Sequence, residues 1–104
     1  MILITGSLLA RPDTVVQATA LCVAHSARSR ASDGCLHHAV HVDAENPLRL
    51  VFLERWRDRA AVAAHFADPA ARGFVRDVRA LAAEEAPMSI LATTELAIGS
   101  LLRA

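Results

Sequence analysis

An α+β fold of the order β-α-β-β-α-β is what this sequence predicts, and three observations predict it. Apolar and polar residues alternate over 35–43 and again over 47–56, on either side of a short turn. Stretches free of Gly and Pro, with apolar residues at helical spacing, follow the first strand and the hairpin. Apolar segments at Ile2 to Ala10 and Met88 to Ile98 supply an opening and a closing strand. This is the split βαβ, ferredoxin-like order, in which both helices cover one face of a four-stranded antiparallel sheet.

Each element has a local reason. Thr5 and Ser7 interleave the apolar residues of the first strand. Arg11-Pro-Asp breaks it, and Pro12 and Asp13 suit the start of a helix over Thr14 to Arg30. Val15, Ala18, Cys22, Ser26 and Ser29 share that helix's buried stripe, with Val16, Ala20, Val23 and Ala27 beside it and His25 on the border. Asp33-Gly34 ends the helical region. In the hairpin, Ala44 to Pro47 forms the turn. Pairing residues whose numbers sum to about 90 sets Val42 against Leu48, Val40 against Leu50, His38 against Phe52 and Leu36 against Glu54. One face then carries Leu36, His38, Val40, Val42, Leu48, Leu50, Phe52, Glu54 and Trp56. Asp58 caps a short helix through His65 and Phe66. Asp68-Pro69 starts a second one, expected to run to Glu84 or Glu85 with Phe74, Val78 and Leu81 inward and Pro87 ending it. A short tail begins at Gly99.

Composition narrows the function. The 104 residues form one domain, 1–104, with 54% hydrophobic residues and a formal net charge of zero. Arg supplies every strong base, and Lys and Tyr are absent. A neutral chain without a basic cluster argues against nucleic acid. Its apolar runs fall short of the ~20 residues of a membrane span, so no membrane partner is expected. The first residues lack a basic leader, which makes the cytoplasm the expected location. Cys22 and Cys35 fit no disulfide framework or paired metal motif. His37 and His41 would stand ~13 Å apart on a strand, too far to share an ion, and Cys35 with His37 lacks a third ligand. These spacings therefore predict no metal site. On the face away from the helices, Ala39, Val51 and Leu53 are too apolar to be left wet, which predicts a homodimer joined through its sheet faces.

The anomaly is Glu54. It shares a strand face with Leu48, Leu50, Phe52 and Trp56, and a carboxylate there is costly unless paired or hydrogen-bonded. Gly34-Cys35-Leu36, Asp43-x-x-Asn46-Pro47, Phe52-x-Glu54-x-Trp56, Asp58 and His65-Phe66 together resemble the antibiotic biosynthesis monooxygenase domain over nearly the whole chain. The resemblance implies a dimeric α/β barrel among cofactor-free oxygenases, including quinol monooxygenases and tailoring enzymes of aromatic polyketides. It also implies a pocket between helices and sheet, with Glu54, Trp56 and His65 on recurrent positions. Haem-degrading relatives are less similar: the Asn expected near Gly6 or Ser7 and the His expected near Val75 are missing.

A cofactor-free oxygenase acts on an electron-rich quinol or polycyclic phenol, with O2 as co-substrate. It needs a base near neutrality, a dry aromatic cavity and a group to hold the developing oxyanion. His65 is the expected base, Glu54 the orienting acid, and Trp56 and Phe52 the aromatic wall, with His38 and His25 looking into the same space. Plainer roles are open to each: an Arg partner for Glu54, a core anchor for Trp56, a structural link for His65, a solvent-facing ring for His25. Two further readings keep the scaffold without this chemistry. One is a non-catalytic small-ligand-binding or stress-associated dimer; the other is an isomerase of a small keto compound.

Overall fold

The computed structural model describes residues 1–85 and 88–103. Strands β1 (Ile2–Ala10), β2 (Cys35–Asp43) and β3 (Asn46–Trp56) and helices α1 (Val15–Arg30), α2 (Arg59–Ala67) and α3 (Pro69–Leu81) follow the expected order. The sheet is antiparallel, ordered β2-β3-β1, and the helices lie on one face of it. The family of folds is the ferredoxin-like one.

Its last quarter departs from expectation. The helix ending near Glu84 stops at Leu81, and β4 (Ala82–Glu85) pairs with Leu8 to Ala10 of β1. Helix propensity in Ala82 to Glu85 yields to an available strand edge. Instead of one strand from Met88 to Ile98, only β5 (Ser89–Ala92) pairs, with Ile2 to Thr5 of β1. Thr93 donates its amide to the carbonyl of Met1, and there the partner strand runs out. A short helix, α4 (Ile98–Leu102), replaces the expected irregular tail. Among the described residues the sheet thus has five strands, not four. Pro87 lies outside the described residues.

The hairpin register is the second correction. His38 faces Glu54, Val40 faces Phe52 and Val42 faces Leu50, two residues beyond the expected pairing. The turn is tighter than Ala44–Pro47: Asp43 faces Asn46, Asp43 Oδ1 accepts the amide of Glu45, and Asn46 Oδ1 accepts that of Leu48. Pro47, which has no amide proton to give the ladder, falls where the register shifts. A slip of two leaves face assignments unchanged, so the row keeps its face from His38 onward, although Val42 near the turn is exposed. Leu36 does not: it lies at a second register shift, between Cys35 and His37, and is exposed.

Packing splits the core in two. Leu8, Ala10, Ala18, Cys22, Leu50 and Val78 form one cluster; Ile2, Ile4, Trp56, Ala61 and Val62 form the other. The polar residues that concern function lie between them. Asp58 caps α2 as expected, its Oδ1 accepting the amide of Ala61 at 2.9 Å. Pro69 opens α3, but the Asp68 side chain makes no cap hydrogen bond. Gly34 sets the approach of α2 to the hairpin. Its φ is +82°, and a Cβ there would stand 2.5 Å from that of Ala61. Gly34→Ala is expected to destabilise the chain by more than the ~1–2 kcal/mol of left-handed strain alone. An unchanged urea midpoint would show that α2 yields freely.

Candidate functional site

The inner face of the sheet places the site one rung at a time. Across β1, β3 and β2, Ile4, Glu54 and His38 form a row; the next row is Gly6, Phe52 and Val40. Gly6 presents no side chain opposite Phe52, and the space it leaves opens below the helices. Two adjoining cavities, of about 370 and 420 Å³, share Phe52, Glu54, Phe74, Val75 and Met88 as walls. His25, His65, Phe66, Ala71 and Arg72 complete the first; Gly6, Ser7, Leu8, Val78 and Arg79 complete the second. Each lies in the size range of small-molecule sites.

Glu54 is 5% exposed and accepts a hydrogen bond on Oε1 from the indole Nε1–H of Trp56 at 2.9 Å. His38 Nε2 stands 3.4 Å from the same oxygen, a contact not aligned as a hydrogen bond. Burial pushes the Glu54 carboxyl above its ordinary range, and the Trp56 hydrogen bond opposes that shift. No Arg partners Glu54 among the described contacts, so its burial is compensated by an indole and an imidazole edge.

Three imidazoles converge beside this carboxyl. His25 of α1, His38 of β2 and His65 of α2 are all buried, with ring centroids 5.1 to 5.9 Å apart. His38 Nδ1 is 2.8 Å from Ser26 Oγ, and its backbone carbonyl accepts from Arg30 Nη1. His25 stacks on Phe74 at 4.0 Å, nearly coplanar, and His65 lies 4.6 Å from Trp56. Burial, then the neighbouring imidazoles and Arg30, lowers His38 to about 3. Burial, then His65 and Arg28, lowers His25 to about 4, against an opposing pull from Asp68. Burial also lowers His65, again opposed by Asp68. Burial thus favours the uncharged form of all three rings.

Of the residues singled out in the sequence, Phe52, Glu54, His25 and His65 line the cavity. Trp56 and His38 stand behind them, at 0% and 1% exposure. The wall expected of Trp56 is formed by Phe52 and Phe74, in edge contact at 6.0 Å. His25, placed on the border of its helix stripe, is fully inside. Phe74, Met88 and Ser26 escaped the sequence reading as site residues, although Phe74 and Ser26 were already on inward stripes.

The same arrangement of elements occurs in known proteins. The model of the family described as antibiotic biosynthesis monooxygenase matches residues 1–77. Rv0793 from Mycobacterium tuberculosis superposes with a TM-score of 0.84 at 27% identity, over 92% of this chain and 97% of that one. PA3566 from Pseudomonas aeruginosa gives 0.80 at 26%, over 90% and 94%. A candidate antibiotic biosynthesis monooxygenase from Deinococcus radiodurans gives 0.88 at 22%, over 93% and 96%, a likeness of fold. Protein sll1783 of Synechocystis is 30% identical over 94 residues, and the chain spans 64% of its length. With three quarters of its length matched by the family model and its fold shared throughout, this chain belongs to the antibiotic biosynthesis monooxygenase family.

Proposed function

We propose that the protein is a cofactor-independent monooxygenase that oxidises a quinol or polycyclic phenol with O2. One observation carries the reading: the imidazoles of His25 and His65 and the buried carboxyl of Glu54 share the wall of a largely apolar, aromatic cavity. His65 takes the proton from the acidic C–H or O–H of the substrate, and the resulting anion is rich enough to give one electron to O2. In an anthrone, superoxide and the substrate radical then combine to a hydroperoxide. Loss of water turns the ring CH2 into a carbonyl, so one oxygen atom stays in the product and the other leaves as water. Glu54, held by Trp56, supplies the pocket's polar edge; Phe52 and Phe74 hold the flat ring. His25, stacked on Phe74, fixes that wall.

We take residues 1–104 as one domain that works as a homodimer. Leu53, Leu91 and Leu36, exposed on or beside the sheet, support a partner there. A cytoplasmic setting is proposed on the same terms, with Cys22 and Cys35 both unpaired. Among the described residues, no helix is long and apolar enough to cross a membrane.

The test is oxygen uptake by the purified chain with anthrone and dihydroxynaphthalene, in the presence of a chelator. Acceleration over buffer is expected, with anthraquinone formed from anthrone. A blank across such a panel, with the aromatics still quenching Trp56 fluorescence, would leave the binding or isomerase readings.

A further inference from the structure

Along β2, Cys35 and His37 have no third ligand at metal-binding spacing. The fold supplies three from three different elements. His25, His38 and His65 each bring a ring nitrogen to within 4.8 Å of the other two. His38 is 1% exposed, yet its Nε2 makes no hydrogen bond, a costly arrangement if nothing uses the nitrogen. Its other nitrogen, Nδ1, is held by Ser26 Oγ at 2.8 Å. That is the outer hydrogen bond by which metal-binding histidines are fixed in tautomer and direction.

We propose that His25, His38 and His65 form a binding site for one divalent transition-metal ion of the zinc class. Imidazole nitrogens suit Zn²⁺, Co²⁺, Ni²⁺ and Cu²⁺, and three of them leave a fourth position open. Tetrahedral ligation at ~2.0–2.1 Å sets the nitrogens ~3.3 Å apart, so the rings need to close by no more than about 1.5 Å. Glu54 Oε1 is 3.4 Å from His38 Nε2, and that carboxyl is placed to offset the ion's charge. Ions reach the cluster through the cavity that His25 and His65 line. The oxygenase reading is not needed for this site. An ion there takes the lone pair that His65 would offer a substrate, so the loaded chain is a silenced form of the proposed enzyme.

The test uses the intact chain, stripped with a chelator and dialysed. Co²⁺ is added and its visible absorption followed, then displaced by Zn²⁺. One ion per chain is expected, with the Co²⁺ band of tetrahedral nitrogen ligation. In spectra of the Zn²⁺-titrated chain, the imidazole resonances of His25, His38 and His65 are expected to shift while those of His37 and His41 stay in place. Ser26→Ala is expected to weaken binding about 10–100-fold, and His38→Gln by more. No uptake by the native chain overturns the proposal, as does uptake that moves His37 or His41 and leaves the three buried rings unchanged. Because these readings concern ion binding alone, a chain inactive toward anthrones does not affect them.

Discussion

Replacing His65 with alanine is expected to slow anthrone oxidation by about 10²- to 10⁴-fold, the usual worth of a positioned general base. The ring lines the cavity, and burial holds it below its ordinary value of 6.5, so it stays unprotonated through neutrality. Its sign is informative. A base with a lowered pKa keeps its lone pair to lower pH, so the acid limb of kcat/KM should fall below 6.5 and vanish in His65→Ala. Added imidazole should restore part of the rate, because the vacated space adjoins an existing cavity. His41→Ala, on an exposed ring of β2, serves as the control and should leave the rate unchanged. A variant that keeps its thermal midpoint and also its full rate would remove His65 from the mechanism.

The second large effect concerns stability. Trp56→Ala is expected to cost about 3–5 kcal/mol, because the indole is wholly buried and anchors the cluster of Ile2, Ile4, Ala61 and Val62. Trp56→Phe removes the Nε1–H bond to Glu54 and a smaller part of the packing. It should cost at least about 1–3 kcal/mol, the penalty for leaving a buried acceptor without its donor, plus a smaller cavity cost. Denaturant midpoints of the two variants measure the losses. If the phenylalanine variant is as stable as the parent, the indole hydrogen bond contributes nothing and Glu54 is satisfied some other way.

Much of this was legible in the chain. Period-two alternation put Leu50, Phe52, Glu54 and Trp56 on one face, and a helical stripe put Cys22, Ser26 and Ser29 on another. Both survive because periodicity is local and tolerates errors of register. The register itself was misjudged because it depends on how Asp43, Asn46 and Pro47 close the turn, a choice made by side-chain hydrogen bonds and a missing amide. That error had a functional cost: it set Leu36 opposite Glu54, where His38 actually stands. The convergence of His25 and His65 on His38 is a property of three elements packed together, and no spacing along the chain encodes it. Ala82 to Glu85 shows the same limit from the other side, since only the free edge of β1 makes it a strand.

That edge has a consequence for breathing of the molecule. On one side β1 is zipped to β3 without interruption from Ile2 to Leu9. On the other, β5 takes Ile2 to Thr5 and β4 takes Leu8 to Ala10, on either side of Gly6 and Ser7, two residues that line the larger cavity. Both are four-residue strands, shorter than the β1–β3 seam. Amides of β4 and β5 should therefore exchange with solvent by local openings, well below the global unfolding free energy.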